Sequence, residues 1–427
     1  MSIAQGNFAG VRRKWWNRVR YQLGLGLLLA VVLPWWVRVQ LTVADAALVG
    51  LTESVAGSAI SLVAGYYGFR RLSVYPGVRA SRNIFPSFAV SYGAVLLFFL
   101  YARLDYSRLH FAISFAIALT WYFAVHFKLQ RQQTLSIGVV PYGHVNSLFS
   151  IEGIEWVRLA DSRPPQRPLD AITADLRADL PDEWERFLAD RALEGTLVMH
   201  QKQIEESLTG RVAIEHLSEN NFGSLIPGIV YAKVKRAGDL IFSVLALPLL
   251  APLLLIIGLL IRLDSPGPAL FRQLRMGYRG KAFIMYKFRS MRVTDGPAAD
   301  ARFMAMTKDG DERVTQLGAV LRKYRIDELP QVINILKGEM SWIGPRPEAV
   351  PLSEWYEAEL PFYRYRHIVR PGITGWAQVK QGHVAEIDDV LGKLHYDFYY
   401  IKNFSFWLDL LIVAGTVRTI LSGFGAR

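Results

Sequence analysis

Long apolar runs constrain the fold of this chain more than any other feature of its sequence. Four of them open the sequence, and each is close to the length of roughly 20 residues that a helix needs to cross a bilayer. They are Tyr21–Val37, Ala44–Tyr67, Ile84–Ala102 and Leu109–Phe127. The sequence therefore predicts a membrane protein whose N-terminal part, residues 1–132, is a four-helix transmembrane bundle.

Basic residues lie on alternate flanks of these runs. Five of them precede the first run, four lie in the loop between the second and third runs, and Lys128 and Arg131 follow the fourth. The other two loops hold only Arg38, and Arg103 with Arg108. Because basic loops stay in the cytoplasm, both ends of the bundle are predicted to face the cytoplasm.

Residues 133–227 have the composition of a soluble domain. Runs typical of strands alternate there with predicted helices such as Asp182–Leu193. The predicted strands are Leu135–Val140, Glu155–Leu159, Thr196–Met199 and Val212–Leu217. Such alternation predicts a small α/β domain with a parallel sheet, of the Rossmann-like kind.

The turn after the first predicted strand does not have the sequence of a dinucleotide-binding loop. Gly138-Val-Val-Pro-Tyr-Gly143 has too few glycines for the G-x-G-x-x-G pattern and has Pro141 within the turn. We therefore interpret this segment as a degenerate Rossmann-like domain with a structural or regulatory role.

A fifth apolar segment, Leu240–Ile261, has basic residues on both sides. Lys235 lies before it and Arg262 after it, so neither end resembles the extracytoplasmic end of a span. Pro248 and Pro252 lie within it, and proline inside a helix produces a kink. These features favour a helix that enters the membrane, bends near Pro252 and returns to the same face. An ordinary span with a kink is the alternative.

The charge of the chain favours an anionic membrane over a nucleic acid as its partner. The formal net charge is +12, and eight Lys and Arg residues against one acid lie between Arg262 and Arg292. A segment that rests on anionic lipid carries its charge in this way, and the sequence has no recognition-helix or zinc-finger pattern. The chain has no cysteine, which excludes disulfides, zinc–thiolate sites and cysteine nucleophiles.

Short motifs follow the fifth apolar segment. In chain order they are Phe271-Arg-Gln-Leu-Arg-Met-Gly277, Lys287-Phe-Arg-Ser-Met291, Leu321-Arg-Lys-Tyr-Arg-Ile-Asp-Glu-Leu-Pro-Gln331, Gly344-Pro-Arg-Pro-Glu348 and Arg370-Pro-Gly-Ile-Thr-Gly-Trp-Ala-Gln378. The adjacent Asp327 and Glu328 are the most informative residues among them. Two carboxylates in a basic stretch suit a divalent cation and an anionic substrate, and an Asp carboxylate can attack phosphorus. The alternative is an exposed helix N-terminus, where acidic residues favour the helix dipole.

This ordered set of motifs resembles the polyprenyl-phosphate sugar-1-phosphate transferases, the monotopic phosphoglycosyl transferases of bacterial polysaccharide assembly. The resemblance extends from about Lys235 to the C-terminus and includes Tyr396-Asp-Phe-Tyr-Tyr400 and Phe404-Ser-Phe-Trp-Leu-Asp409. The four N-terminal runs and the α/β segment resemble the long branch of the family, which includes the undecaprenyl-phosphate glucose and galactose phosphotransferases.

The resemblance implies roles for individual residues. Asp327 stands at the position of the nucleophile and Glu328 at that of the metal-associated acid, so both are expected to hold Mg²⁺. Pro248 and Pro252 stand at the break of the re-entrant membrane helix. Substrate binding is expected of a larger set, in which the arginines present planar forks to phosphate oxygens. These residues are Lys287, Arg289, Arg322, Gln331, Pro345, Arg346, Pro347 and Arg370.

The implied reaction moves a sugar-1-phosphate, of a hexose such as glucose or galactose, from a UDP-sugar to undecaprenyl phosphate. It releases UMP, passes through a phosphosugar on Asp327, and initiates exopolysaccharide, capsule or O-antigen synthesis. The catalytic domain, residues 228–427 with a re-entrant helix over 236–262, is expected on the cytoplasmic face of the bacterial inner membrane. The sequence leaves the oligomeric state open, with a homo-oligomer as one option.

Two other functions stay open at this point. Asp309-Gly-Asp311 is a D-x-D sequence of the kind that holds metal in many glycosyltransferases, and it would suit an enzyme that releases UDP. A solvated turn is the alternative for this tripeptide. The second function is that of a non-catalytic membrane scaffold of polysaccharide assembly.

Overall fold

The computed structural model describes residues 18–41, 50–75, 81–130, 135–165, 167, 169–214, 227–292, 313–381 and 387–422. Contacts divide the chain into two compact units, Met1–Gly210 and Arg211–Arg427. The predicted domain limit at 132/133 lies outside the described residues, and the division into three domains stays a prediction. Asp309 and Asp311 also lie outside the described residues.

The first unit opens with a bundle of helices. Its elements, in chain order, are α1 (Val19–Leu27), a π-helical turn (Leu28–Val32), α2 (Leu33–Leu41), α3 (Leu51–Leu72), α4 (Ser81–Tyr101) and α5 (Arg108–Gln130). The π-helical turn joins α1 to α2 without leaving the helical conformation. Each predicted run therefore corresponds to a helix, although residues 44–49 of the second run lie outside the described part of the chain.

Small residues allow close packing within this bundle. Gly57 and Gly65 of α3 lie directly against the rings of Phe99 and Phe88 of α4, where a Cβ atom would collide. Small residues at helix interfaces let neighbouring helices approach in this way. The buried centre of the bundle is aromatic, because the ring of Tyr122 stacks on Phe88.

Within the described residues, four helices are long and apolar enough to cross a membrane. They are Val19–Gln40, Asn83–Tyr101, Arg108–Lys128 and Ile229–Asp264. Helix α3 extends over 22 residues but is more polar, with Glu53 in its first turn and buried serines at positions 54, 58 and 61. The chain is thus a membrane protein, and the crossing by α3 stays a prediction.

A parallel sheet follows the bundle in the first unit. Over the described residues it has four strands in the order β2-β1-β3-β4, as the alternating pattern predicted. Its elements are β1 (Leu135–Val139), β2 (Ile154–Arg158), β3 (Ala171–Ala174), α6 (Asp182–Leu193), β4 (Leu197–His200) and α7 (Gln201–Thr209). Ile204 of α7 packs on one face of the sheet and Trp184 of α6 on the other.

Two strands differ from the prediction. Ala171-Ile-Thr-Ala174 has weak strand propensity but lies between β1 and β4 and pairs with both, so its neighbours determine its conformation. Residues 211–214, in the predicted strand Val212–Leu217, form no strand, and the N–H of Val212 donates to the carbonyl of His395 over 3.0 Å. Residues 215–217 lie outside the described part.

An internal carboxylate lies at the turn after β1. Asp175, at the carboxyl end of β3, accepts hydrogen bonds from the N–H groups of His144 at 3.0 Å and Arg177 at 3.2 Å. It lies against Gly143, whose φ of +73° is in the left-handed region. In dinucleotide-binding folds, N–H groups of this turn bind the diphosphate. Here one of them donates to the protein's own Asp175.

The second unit contains a long helix followed by short elements. In chain order they are α8 (Ile229–Asp264), β5 (Leu270–Met276), β6 (Ala282–Phe288), α9 (Gln316–Lys323), a 3₁₀ turn (Ile326–Gln331), α10 (Val332–Lys337), β7 (Ser341–Ile343), α11 (Val350–Glu359), a second 3₁₀ turn (Tyr363–Ile368), β8 (Gly372–Thr374), α12 (Trp376–Lys380), α13 (Ile387–Lys402) and α14 (Phe406–Ser422). Strands β5 and β6 form an antiparallel hairpin, and β7 pairs with β8 in parallel.

Helix α8 carries the fifth apolar segment. It extends over 36 residues and continues through Pro248 and Pro252 without interruption, so the bend near these prolines stays a prediction. Its middle is exposed, as Leu245 and Leu249 illustrate. The exposed leucines give this part of the helix the surface that lipid contact requires.

Both ends of α8 contact the rest of the second unit. Near the start, Arg236 Nη1 donates to the carbonyl of Ile335 over 2.6 Å. Near the end, Ile257 and Ile261 are buried in one cluster with Phe288 and Leu321. The two ends of the apolar helix are therefore fixed to one compact body.

Candidate active site

The 3₁₀ turn Ile326–Gln331 carries the two adjacent carboxylates. Arg325, directly before it, has a φ of 54° in the left-handed region, which residues other than glycine adopt rarely. This residue lies between the end of α9 at Lys323 and the turn. Asp327 is 9% exposed and Glu328 5%, so the alternative of an exposed helix N-terminus does not hold.

Glu328 lies within a group of cations. Arg346 Nη2 donates to its Oε1 over 2.6 Å, Lys287 Nζ is 3.7 Å from the same oxygen, and Arg325 Nη1 is 3.9 Å from Oε2. Burial acts to raise the pKa of Glu328, but Arg346 and Lys287 outweigh it and lower that pKa well below its usual range. Glu328 is therefore ionised.

Asp327 has no such partner. Among the residues that the structure describes, no group forms a hydrogen bond or ion pair with its carboxylate. Burial and the neighbouring charge of Glu328 raise the pKa of Asp327 to about 6. A buried carboxylate without partners is costly in a fold, and such groups are characteristic of functional sites.

The loop Gly344–Glu348 brings Arg346 to Glu328. The backbone of this loop is held by hydrogen bonds from several elements, and the proline residues at positions 345 and 347 restrict it further. The bonds are Gly344 N to Thr374 O at 2.8 Å, and Gly372 N to Pro345 O, Arg366 Nη2 to Arg346 O, Arg275 Nη1 to Pro347 O and Met276 N to Glu348 O, each at 2.9 Å.

A second group of buried charges supports this loop from behind. Arg366 donates through Nε and Nη2 to Asp397 Oδ2 over 3.1 and 2.9 Å, and the two side chains are almost completely buried. Glu348 accepts a hydrogen bond from Lys393 Nζ and lies 3.9 Å from Arg275 Nη1. Because each of these buried charges has a partner of opposite sign, the group stabilises the loop. The side chain of Arg346 takes no part in these pairs and points to Glu328.

Positive charge exceeds negative charge around the two carboxylates. Within the described residues, the cations that act on this pair outnumber the two carboxylates; they are Arg275, Lys287, Arg322, Arg325 and Arg346. Burial and the charge of Arg346 lower the pKa of Lys287 to about 8. The other donors of Arg346 have no partner among the described residues. A diphosphate is the kind of anion that offsets such an excess.

Comparison with known proteins identifies the family of the chain. Residues 230–423 match the bacterial sugar transferases. The UDP-N-acetylgalactosamine-undecaprenyl-phosphate N-acetylgalactosaminephosphotransferase of Aeromonas hydrophila is 45% identical over 430 residues, which cover 97% of this chain and 98% of that protein. The chain belongs to the bacterial sugar transferase family.

Two further relatives match less of this transferase. The exopolysaccharide production protein PSS of Rhizobium leguminosarum bv. phaseoli is 46% identical over 194 residues, 44% of this chain and 96% of that protein. The UDP-glucose:undecaprenyl-phosphate glucose-1-phosphate transferase of Caulobacter vibrioides is 42% identical over 203 residues, 47% of this chain and 74% of that protein. The family predicted from the motifs is thus confirmed.

The structure of the transferase brings some predicted substrate-binding residues to the carboxylates and leaves others elsewhere. Lys287, Arg322 and Arg346 act on them as described above. Arg289 lies at the end of α8, where its guanidinium donates to the carbonyls of Ser265, Pro266 and Ile261 at 2.6, 2.8 and 3.3 Å. Arg370 donates to Gly338 O over 3.0 Å and lies over the ring of Tyr278.

Gln331 and the prolines of the loop complete the predicted set. Gln331 ends the 3₁₀ turn and is almost fully buried, and its Nε2 has no hydrogen-bond partner among the described residues. Pro345 and Pro347 flank Arg346 and line a cleft of about 180 Å³ together with Met276.

Several residues of the transferase site were not predicted. Arg325 contacts Glu328, and Arg366, Asp397 and Lys393 hold the loop that carries Arg346. Arg325 is adjacent to the predicted pair, and an aspartate within the aromatic run Tyr396–Tyr400 is a detectable signal. The pairing of Arg366 with Asp397 is not detectable from the sequence, because 31 positions separate the two residues.

Proposed function

We propose that the transferase moves a sugar-1-phosphate from a UDP-sugar to undecaprenyl phosphate and releases UMP. The unpartnered carboxylate of Asp327 beside cation-paired Glu328 is the observation that carries the proposal. The names of the relatives support it, because the Aeromonas and Caulobacter proteins are named for such reactions. The product, undecaprenyl-diphosphate-sugar, suits the initiating step of exopolysaccharide, capsule or O-antigen synthesis.

In the first step, a carboxylate oxygen of Asp327 bonds to the β-phosphorus of the donor, and the bond from that phosphorus to the bridging oxygen breaks. The bridging oxygen leaves with UMP, and the sugar-phosphate stays on Asp327 as an acyl-phosphate. Arg346, Lys287 and Arg322 offset the negative charge on the phosphoryl oxygens during this transfer. Their positions are fixed before the substrate arrives, because the loop, β6 and α9 carry them.

In the second step, a phosphate oxygen of undecaprenyl phosphate bonds to the same phosphorus. The bond between phosphorus and Asp327 breaks, which restores the carboxylate and forms the lipid diphosphate. Both steps use one set of cations, since the same phosphoryl group is transferred twice. A ping-pong sequence follows from this order.

We propose Mg²⁺ as the cation of the reaction, held by Asp327 and Glu328. The donor set fits a hard cation, because Asp327 has no partner and Glu328 Oε2 has no hydrogen bond among the described residues. Mg²⁺ commonly binds one or two carboxylates together with substrate phosphates. When bound, it would neutralise negative charge on the diphosphate of the donor.

We propose that α8 is re-entrant and that the catalytic unit lies on the cytoplasmic face of the bacterial inner membrane. Both ends of α8 are fixed to one compact body, which a helix with ends on opposite sides of a bilayer would not permit. The basic flanks at Lys235 and Arg262 agree with this topology. The break near Pro248 and Pro252 belongs to the same proposal.

Cysteine labelling tests this topology, and the natural chain offers no competing cysteine. Single cysteines placed before Lys235 and at the exposed Arg279 are expected to react with an impermeant reagent only after the cytoplasmic face is opened. Labelling of the Arg279 position from the periplasmic side would mean that α8 spans. The active site would then lie away from cytoplasmic UDP-sugars.

We propose a structural or regulatory role for the Rossmann-like α/β domain, and we leave a homo-oligomer as one option for assembly. At the turn after β1, Asp175 already accepts the N–H of His144, which supports a role without diphosphate binding. The catalytic residues proposed above all lie beyond Arg211. The domain thus contributes no group to the proposed chemistry.

Product analysis tests the proposed function. Purified full-length protein with undecaprenyl phosphate is given UDP-N-acetylgalactosamine, UDP-glucose and UDP-galactose in parallel, and the nucleotide product is identified. UMP from at least one donor is expected, with UDP-N-acetylgalactosamine tried first because of the full-length relative. UDP would indicate a glycosyltransferase that uses Asp309 and Asp311, and no release from any donor would indicate a scaffold.

A further inference from the structure

The tail motif Phe404–Asp409 has no role in the proposed chemistry, yet its aspartate is one of the best-satisfied buried carboxylates of the second unit. Asp409 Oδ2 accepts hydrogen bonds from Tyr231 OH and Lys235 Nζ, each at 2.6 Å. Both donors lie in the first turns of α8. Asp409 therefore holds the start of the membrane helix.

The other oxygen of Asp409 faces the catalytic loop. Tyr400 OH donates to Asp409 Oδ1 over 2.8 Å and also lies 3.2 Å from the carbonyl of Ile343. Ile343 ends β7 and directly precedes the loop Gly344–Glu348. Asp409 and Tyr400 therefore connect the first turns of α8 to the strand from which the Arg346 loop begins.

The residues proposed to act on the UDP-sugar are held in place without Asp409. Arg366, Arg275 and the backbone of β8 hold the loop independently, as described above. The charges with the largest effect on Asp327 belong to Glu328, Lys287, Arg346 and Arg322. Loss of Asp409 would remove the hydrogen bonds of Tyr231 and Lys235 at the start of α8 and leave the contact between Arg346 and Glu328 in place.

The route of the lipid acceptor to the site passes along α8, whereas the route of the UDP-sugar does not. A UDP-sugar reaches the site from water, whereas undecaprenyl phosphate reaches it from the bilayer in which the exposed middle of α8 lies. The position of α8 relative to the loop thus sets how the acceptor phosphate meets the phosphosugar on Asp327. Small displacements of reacting groups have large effects on rate.

We propose that Asp409 is a positioning residue for the acceptor step. It fixes the start of α8 against β7, so that the acceptor phosphate is aligned with the phosphorus held on Asp327. This inference rests on the proposed function, because it requires two half-reactions. In the affected step an acceptor oxygen bonds to that phosphorus and the bond to Asp327 breaks.

Two half-reactions measured separately test the proposal. Full-length wild type, Asp409→Asn and Tyr400→Phe are mixed with UDP-sugar alone, and the burst of UMP is recorded. Undecaprenyl phosphate is then added, and the formation of lipid product is followed. Tyr396→Phe is the matched control, because Tyr396 is a buried tyrosine of α13 whose hydroxyl has no hydrogen bond among the described residues.

Asp409→Asn is expected to keep the wild-type burst and to slow the lipid step by roughly ten- to a hundredfold. Tyr400→Phe should show a smaller loss of the same kind, and Tyr396→Phe should match wild type in both steps. The proposal would be overturned if Asp409→Asn and Tyr400→Phe both lost the UMP burst together with the lipid step. It would also be overturned if Asp409→Asn formed the lipid product at the wild-type rate. A wild type without any burst would instead contradict the proposed function, and the inference with it.

Discussion

Two buried aspartates of this transferase, one in each unit, have different surroundings. Asp175 of the first unit accepts two backbone N–H groups, and His200 Nε2 lies 3.5 Å from it. Asp327 of the second unit has no partner among the described residues. Burial acts to raise the pKa of both. The N–H groups reverse this for Asp175, whose pKa is lowered, whereas the pKa of Asp327 is raised.

This difference distinguishes a carboxylate with a structural role from one with a proposed catalytic role. The fold satisfies Asp175 with its own backbone, so the negative charge ties the turn after β1 to β3. Around Asp327 the fold places cations on the neighbouring Glu328 and leaves Asp327 itself available. Burial alone would not distinguish them, since both residues are less than a tenth exposed. The presence or absence of partners does.

The largest expected effect follows from removing the unpartnered charge. Asp327→Asn should lower UMP release by at least about a thousandfold, because an amide is no useful nucleophile. The folded protein should remain, since the amide keeps the shape of the side chain. Asp175→Asn is the matched control and should release UMP at the wild-type rate. Activity of Asp327→Asn within a few-fold of wild type would reopen Asp309-Gly-Asp311.

The next largest effect is expected from substitution of Arg346, the cation that donates to Glu328. Arg346→Lys removes the donor that contacts Glu328 at 2.6 Å and the planar fork for phosphate. We expect kcat for UMP release to fall by roughly a hundred- to a thousandfold, the usual loss for one preorganised donor at a transition state. Arg364→Lys, at an exposed arginine, should leave kcat unchanged. Equal losses in both variants would mean that the effect is not specific to the site.

The helices of the bundle and the catalytic motifs were easier to predict from the sequence than the contacts between distant segments. The first, third and fourth apolar runs predicted their helices to within about four residues, because each run carries its own signal, whereas the second run ends five residues before α3 does. Helix Asp182–Leu193 was also predicted with its correct bounds. Strand β3 was missed, since Ala171-Ile-Thr-Ala174 becomes a strand only through the neighbours that pair with it.

Within the site, residue type predicted charge but not position. Arg289 was predicted to clamp a diphosphate, and the structure places its guanidinium on carbonyls at the end of α8. Its contact with substrate stays a prediction. The pairs Arg366–Asp397 and Lys393–Glu348 form between distant segments, so only the folded chain brings them together. Asp327 and Glu328 were found from the sequence because they are adjacent and lie within a basic motif.

A smaller effect, on stability alone, is expected at the structural carboxylate. Asp175→Asn weakens two charge-assisted hydrogen bonds, and we expect a local loss of about 1–2 kcal/mol at neutral pH. Hydrogen exchange at the amides of His144 and Arg177 measures it, and both should exchange faster in the variant. Unchanged exchange, with a loss of UMP release, would reverse the roles assigned to the two aspartates.

The same comparison has a pH dependence with a defined sign. The folded-state pKa of Asp175 lies below its ordinary value of 3.8. Its contribution to stability is therefore fully present above that ordinary value and is lost as the pH falls through the folded-state pKa. Wild type and Asp175→Asn should differ in exchange at pH 7 and converge at strongly acidic pH. A difference that grows on acidification would contradict the assignment.

The smallest effect on chemistry is expected from removing the first unit together with residues 211–227. A chain that begins near Gly228 should still release UMP, because the residues proposed for catalysis all lie beyond it. The Rhizobium relative, matched over 96% of its own length by 194 residues, supports this expectation. Yield and stability are expected to fall. A folded but inactive truncated chain, restored by adding the missing segment, would show that the first unit supplies part of the site.

Mass spectrometry of the loaded enzyme tests the central claim most directly. Full-length protein is incubated with UDP-sugar in the absence of undecaprenyl phosphate, quenched and digested. A peptide containing Asp327 should carry the added mass of a sugar-phosphate, and the modification should disappear when undecaprenyl phosphate is added before quenching. A sugar-phosphate on any other residue, or turnover to lipid product with no modified peptide under any quench condition, would contradict the role of Asp327 as nucleophile.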